Sequence, residues 1–173
     1  MLLEFDHPDR CLVGTLGSPG RRQFVFQVTQ TGAIASVAVE KLQVATLAKR
    51  IAEILDQLAQ LGRVRLDDPP ADQSPLDLPI DLHFRVGAIG LAWDAERGAI
   101  QIELFSADLG EQHQDTDDVL LQVWLTPQLA HEFAARALTE VAAGRPACPF
   151  CEQPVHPQGH ICPRSNGYRG PLF

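Results

Sequence analysis

The sequence predicts an α+β fold, in which antiparallel strands are covered by two helices and followed by a small cysteine-rich tail. Three observations predict it. Short segments alternate apolar and polar residues with a period of two, as half-buried strands do. Two longer segments carry apolar residues at helical spacing, and each is followed by a glycine. Three of the four cysteines lie in the last quarter of the chain.

Four strands and one helix are predicted before the middle of the chain. Apolar runs and alternation place the strands at residues 2–6, 11–16, 23–28 and 34–39. From about Lys41 the spacing becomes helical, with apolar residues at Leu42, Leu47, Ile51, Ile54, Leu55, Leu58 and Leu61. Gly62 follows directly, and we expect it to end the helix as its C′ residue.

A linker of residues 66–79 separates this part from a similar second part. It holds four prolines and four aspartates, which predict an exposed connection without a regular element. The elements expected after it are a strand over 82–93, a turn over 94–98, a strand over 100–104, an acidic loop over 106–118 and a strand over 121–125. Thr126 and Pro127 then suit the N-cap and first position of a second helix, which Gly144 ends.

The order of strands followed by a helix therefore occurs twice. When the two parts are aligned on Val37 and Val123, Leu47 aligns with Phe133 and Arg50 with Arg136. One interpretation of this correspondence is an internal duplication. The alternative is that any two strand–helix junctions share such apolar patterning. We expect an α+β domain over 1–145, with halves 1–65 and 80–145, and a separate tail over 146–173.

Charge and composition limit the classes of function. The 173 residues hold 14 lysines and arginines against 22 acids, a net charge of −8, which argues against broad nucleic-acid binding over the acidic body. The N-terminal residues lack the basic and apolar regions of a signal peptide, and no apolar run suits a membrane span. These features predict a cytoplasmic protein, in which cysteines serve as metal ligands or free thiols rather than as disulfides.

The tail carries the sharpest motif of the sequence, CPFCEQPVHPQGHIC. Cys148 and Cys151 form a C-P-x-C pair, and His160 and Cys162 supply a second arm. Three thiolates and one imidazole suit tetrahedral Zn²⁺, and four protein ligands leave no place for a catalytic water. His156 competes with His160 for the fourth position, and His160 is preferred because it pairs closely with Cys162. The alternative is that the thiols stay free or form one disulfide.

The tail also resembles the ending of a bacterial family of uncharacterised proteins of unknown function. Members are of similar length and end in a CPxC…GHxCPRxNGYR signature. The positions here that match it are Cys148, Cys151, His160, Cys162, Pro163, Arg164, Asn166, Gly167, Tyr168 and Arg169. The opening strands and the GSPG turn resemble that family as well. Because His156 lies outside the signature, the resemblance favours His160 as the ligand, and it implies no established activity.

Three hypotheses of function follow. The first is a cytosolic zinc-binding interaction or regulatory module with an unidentified protein partner, in which the tail presents Arg164, Asn166, Tyr168 and Arg169. The second is an enzyme with a site between the halves or beside the zinc site, involving His83, Arg85 or Arg164. The third is an RNA- or nucleotide-binding module that uses the arginines and the tyrosine of the tail. The net charge of the chain counts against the third.

Overall fold

The computed structural model describes residues 2–18, 20–68, 72–108, 119–144, 147–153, 155 and 159–164. These residues form seven strands and two helices, which agree closely with the predicted elements. The elements are β1 (Leu3–Phe5), β2 (Arg10–Leu16), β3 (Gln23–Gln30), β4 (Ala33–Val39), α1 (Lys41–Gln60), β5 (Leu82–Asp94), β6 (Ala99–Ser106), β7 (Val119–Leu125) and α2 (Pro127–Ala142). Most of the predicted acidic loop, residues 109–118, lies outside the described residues.

All seven strands form one mixed sheet in the order β1-β7-β6-β5-β4-β3-β2. The α+β class is confirmed, and β2-β3-β4 and β5-β6-β7 form the antiparallel meanders that the sequence predicts. Two pairings, β4 with β5 and β1 with β7, are parallel and were not predicted. The first arises because α1 and the linker carry the chain back across the molecule before β5 begins.

The sheet curls so that its two ends approach each other. β1 and β2 lie at opposite ends of the sheet although they are consecutive in the chain. A flat seven-stranded sheet would be about 29 Å wide. The five steps from Phe5 to Arg10 reach at most about 18 Å. Two hydrogen bonds join the residues after β1 to the end of β3. Gln30 Nε2 donates to Asp6 Oδ1 at 3.0 Å, and Gln30 Oε1 accepts from the His7 N–H at 3.0 Å.

The predicted signals at the helix ends are confirmed. After α1, Gly62 has a φ of +68°, and its N–H and that of Arg63 donate to the carbonyls of Ala59 and Leu58. This is a Schellman ending, which needs a residue that tolerates the left-handed region. At the start of α2, the Thr126 hydroxyl accepts from the backbone N–H of Leu129 at 3.2 Å. The end of α1 and the start of α2 are therefore fixed by local chemistry that the sequence displays.

A single hydrophobic core joins the two halves of the sheet. It combines the inward side chains of both meanders with the buried stripes of both helices. Phe26 of β3 and Phe133 of α2 lie at its centre, with ring centroids 5.4 Å apart. The stripe of α1 differs from the prediction at Leu42 and Leu61, which are 77% and 70% exposed. They lie outside the stripe that faces the core, whose buried residues are Val44, Leu47, Ala48, Ile51, Leu55 and Leu58.

The linker covers part of the sheet face opposite this core. As predicted, its described residues form no regular element, but they are held by specific contacts. The Gln27 side chain, 1% exposed, accepts from the Asp77 N–H at 2.7 Å and donates to the Asp77 carbonyl at 3.0 Å. It also donates to the Ser36 hydroxyl at 3.0 Å. The buried amide is thus fully used, and it pairs with the linker much as a neighbouring strand would.

A glycine makes this covering possible. An added Cβ at Gly14 would lie 2.7 Å from Leu76 Cγ of the linker. We expect Gly14→Ala to displace the linker and to lower the free energy of unfolding by about 1–3 kcal/mol. Urea denaturation measures this. In a Leu76→Ala background the same change should cost much less, and equal costs in the two backgrounds would show that this contact is not responsible.

Two arginines hold the linker through Asp72 and Asp77. Arg10 of β2 pairs with Asp72 at 3.3 Å and with Asp77 at 3.0 Å. Arg136 of α2, whose side chain is 10% exposed, donates to the carbonyls of Val13 at 2.9 Å and Asp72 at 2.7 Å. The second arginine therefore joins α2, the edge strand β2 and the linker.

The ionisation of Asp72 should make stability depend on pH. Partial burial alone would raise the pKa of Asp72, but hydrogen bonds from Ser74 and the charge of Arg10 outweigh it and lower this pKa from 3.8 to about 2. A carboxylate with a lowered pKa stabilises the fold above the unfolded value and loses that contribution as the pH falls towards the folded value. We therefore expect the stability difference between wild type and Asp72→Asn to shrink between pH 3.8 and 2. Urea unfolding across this range tests it, and a difference independent of pH would contradict it.

Candidate metal centre

The structure brings four side chains of the tail together. The ligand atoms of Cys148, Cys151, His160 and Cys162 all lie within 4.8 Å of one another. Cys148 and Cys162 are 4% and 5% exposed, whereas Cys151 and His160 are half-buried. These four residues can hold a metal ion, because one imidazole and three sulfur atoms face a common point from two arms of the chain. We call residues 148–162 the knuckle.

The distances between the ligand atoms exclude a disulfide in the cluster. The sulfurs of Cys148 and Cys162 are 3.7 Å apart, far beyond the S–S bond of about 2.05 Å. Cys151 Sγ lies 3.3 Å from His160 Nε2. All four cysteines of the chain are thiols in the structure. The sulfur atoms are thus close enough to share an ion and too far apart to be bonded to one another.

The backbone of the C-P-x-C pair forms a tight turn. The N–H of Glu152 donates to the Cys148 carbonyl at 2.9 Å, and the N–H of Cys148 donates to the Gln153 carbonyl at 2.8 Å. Glu152 has a φ of +61°, in the left-handed region that non-glycine residues seldom adopt. This conformation reverses the chain directly after Cys151. Both thiols of the pair are thereby placed on the same side of the turn.

The electrostatics of the cluster favour a cation. A hydrogen bond from the Gln153 backbone lowers the pKa of the Cys151 thiol, but desolvation and the neighbouring sulfurs of Cys148 and Cys162 raise it more, so the net pKa is raised. Three sulfurs this close repel one another when deprotonated. A bound cation removes that cost and stabilises the thiolates. The donor set therefore fits a soft or borderline divalent metal ion.

The other residues predicted for this region fall into two groups. Arg164 is exposed, and its Nη1 donates to the Phe150 carbonyl at 3.3 Å, which ties the residues after the last ligand back to the first arm. His156, Asn166, Tyr168 and Arg169 lie outside the described residues. The fourth cysteine of the chain, Cys11, is 4% exposed in β2, and burial raises the pKa of its thiol.

The candidates for catalysis do not form a site among the described residues. His83 and Arg85 are exposed on β5, and His83 Nδ1 lies 3.1 Å from the Ser36 carbonyl. Within the described part of the chain, no hydrogen bond or ion pair joins either of them to Arg164 or to a carboxylate. Among the described residues, the structure therefore does not bring His83, Arg85 and Arg164 together as the enzyme hypothesis would require.

Comparison with known families identifies the chain at the level of its family. The model of a family described as "Protein of unknown function (DUF3090)" matches residues 3–162. The chain belongs to the DUF3090 family. This match confirms the resemblance found in the sequence. Because the match ends at Cys162, it includes all four candidate ligands, Cys148, Cys151, His160 and Cys162. Membership assigns no activity.

Two further comparisons found no relative, since no curated protein and no solved structure matches the chain. Neither α1 nor α2 combines the length and the apolar character that a membrane-spanning helix needs.

Two further side chains of the knuckle were not predicted as functional. Phe150, between the first two ligands, is 60% exposed, and Ile161, between the last two, is 87% exposed. Large apolar residues inside a polar, proline-rich loop are a visible signal.

Proposed function

We propose that the chain is a cytoplasmic interaction or regulatory protein, in which a structural zinc ion holds the knuckle in shape for a protein partner. The observation that carries this proposal is the convergence of Cys148, Cys151, His160 and Cys162 within 4.8 Å. The distances between the ligand atoms support zinc, the number of ligands supports a structural role, and the exposed side chains support an interaction.

The distances support zinc as the metal. Zn–S bonds of about 2.3 Å in a tetrahedron place two sulfurs about 3.8 Å apart, and a Zn–N bond of about 2.0 Å places a nitrogen about 3.5 Å from each sulfur. The corresponding distances here are 3.7 Å for Cys148 and Cys162 and 3.3 Å for Cys151 and His160. These two of the six distances among the ligand atoms are therefore close to those of a tetrahedral zinc site.

The ligand count supports a structural role. Catalytic zinc sites keep one position for water or substrate, whereas four protein ligands close the coordination sphere. The knuckle has no regular element among its described residues and little apolar core of its own. In such a segment the metal ion supplies the stability that packing does not.

The exposed side chains support an interaction. Phe150 and Ile161 each sit between two ligands, so an ion that fixes the ligands also fixes these apolar groups at the surface. Ordering them before binding reduces the conformational entropy lost in a complex. Aromatic and aliphatic anchors of this kind contribute strongly at the centre of protein interfaces.

Metal content and partner capture test the two parts separately. We expect the purified full-length protein to hold close to one equivalent of zinc, and a metal-free preparation that is fully folded over residues 148–162 would refute the first part. For the second part, we expect partners captured by the wild type to be lost with Phe150→Ser/Ile161→Ser, while zinc is retained. Leu42→Ser, which changes an equally exposed residue of α1, is the control. Unchanged capture by the knuckle variant would refute the interaction.

A further inference from the structure

A cleft lies beside the beginning of α2, and none of its lining residues belongs to the metal cluster. It has a volume of about 450 Å³ and lies among the residues that follow α1, the β5–β6 hairpin and the first turn of α2. Ligand pockets typically have about 300–1,000 Å³. The lining residues used below are Arg63, Arg65, Trp93, Thr126, Pro127 and Gln128.

The side chains of the two arginines in the cleft have no bonding partner among the described residues. The side chains of Arg63 and Arg65 are exposed and make no hydrogen bond or ion pair with any residue that the structure describes. Arginines at two other cavities differ. Arg22 donates to the Ala143 carbonyl at 3.0 Å, and Arg97 lies over the Trp124 ring at 4.2 Å. In a chain of net charge −8, two guanidiniums that line one cleft and form no ion pair with a described residue supply local positive charge.

Trp93 forms the aromatic wall of the cleft and can also contact a ligand. Trp93 packs one part of its side chain against the hydrophobic core and remains half-exposed at the cleft. Among the described residues no cation and no second aromatic ring stacks on it, in contrast to Trp124. A planar ligand group can therefore stack on this indole at the same time as an anionic group reaches the arginines.

The start of α2 adds to the positive potential and to the rigidity of the site. A helix of 16 residues carries a partial positive charge at its N-terminus, and this end lines the cleft. The Gln128 side chain accepts from the Asp67 N–H at 3.0 Å and donates to the Asp67 carbonyl at 3.4 Å. These bonds hold the segment that carries the arginines against the helix.

We propose that this cleft binds a small aromatic phosphate of the size of a nucleoside monophosphate. The phosphate lies between Arg63 and Arg65, whose planar guanidiniums match its oxygens in pairs, and the ring stacks on Trp93. The site lies outside the metal cluster, so it goes beyond the function proposed above and does not depend on it. A nucleoside without phosphate lacks the charge, and inorganic phosphate lacks the ring.

Calorimetric titration of the 173-residue protein as purified with AMP, adenosine and inorganic phosphate tests the proposal. We expect AMP to bind with millimolar or tighter affinity and at least about tenfold more tightly than either fragment. Absence of AMP binding in this range overturns the proposal. Equal affinities for AMP and phosphate also overturn it, since they would leave Trp93 without a role.

Variants locate the binding. Arg63→Gln/Arg65→Gln should weaken AMP binding at least about tenfold, because each hydrogen bond to a charged group is removed. Trp93→Leu should weaken it, and Trp93→Phe should restore most of it. The control Arg50→Gln/Arg85→Gln removes the same charge at residues that do not line the cleft and should bind AMP normally. Circular dichroism verifies folding, and equal affinities of the two double variants would overturn the proposal.

Discussion

Replacing Cys148 with serine is expected to release the metal ion and disorder the knuckle while the seven-stranded sheet stays folded. Cys148 is one of the four candidate ligands, it is 4% exposed, and its carbonyl and N–H hold the turn that contains Cys151. Zinc binding in zinc-finger peptides is worth about 10–16 kcal/mol, so the loss of one ligand removes much of what orders this segment. Elemental analysis and amide hydrogen exchange across residues 148–162 measure the two effects.

Cys11→Ser is the matched control for this experiment. Cys11 is as buried as Cys148, but it belongs to the hydrophobic core and is not one of the four candidate ligands. A buried hydroxyl without a partner costs about 1–3 kcal/mol, so this variant should lower the unfolding midpoint and retain its zinc. The Cys148→Ser variant should instead lose its zinc while the sheet stays folded. Full zinc content in both Cys148→Ser and Cys162→Ser would show that the cluster is not the metal site.

Phe133→Ala is expected to cause a large loss of stability. Phe133 is 1% exposed, and its ring lies 5.4 Å from that of Phe26, so it joins α2 to the centre of the first meander. Removing a buried phenylalanine costs about 3–5 kcal/mol, because the hydrophobic contact is lost and a cavity remains. Since many domains have only about 5–15 kcal/mol of stability, most of the margin would disappear.

Equilibrium urea unfolding measures this loss, with Phe150→Ala as the control. Phe150 is 60% exposed, so the same substitution there should change the free energy of unfolding by less than about 0.5 kcal/mol. Phe26→Ala should cost a similar amount to Phe133→Ala, and the double variant less than the sum, because the two rings share one contact. A loss of less than about 1 kcal/mol for Phe133→Ala would contradict the position of α2 on the sheet.

Much of the secondary structure follows from local chemistry and was therefore predictable. Thr126 with Pro127 marks the start of α2, and Gly62 marks the end of α1, because capping depends on residues close in the chain. The β5–β6 turn is equally local, since Asp94 Oδ1 accepts from the N–H groups of Glu96 and Arg97. In the tail, spacing brought out Cys148, Cys151 and Cys162 with His160 or His156 as the fourth candidate, and the structure places His160 beside the three cysteines.

The arrangement of these elements depends on contacts between distant residues and was only partly predicted. Alternation in a strand shows which residues share a face, but not which strand lies beside it, so the parallel pairing of β4 with β5 was missed. The linker looked like an exposed connection, because its composition does not show that Gln27 would pair with Asp77. The duplication and the boundaries of the domains stay predictions.

The sequence by itself determined the α+β class, the end of α1, the start of α2 and the sulfur and imidazole side chains of the knuckle that can hold a metal ion. Each of these rests on interactions within a few residues, or on ligand types whose spacing is visible in the chain. Only the tertiary structure decided the curled mixed sheet, the covering of its second face by the linker, and the meeting of Arg63, Arg65 and Trp93 at the start of α2. The reason is physical. Folding selects these contacts by the burial of one shared core, and no local pattern shows which distant surfaces that burial will bring together.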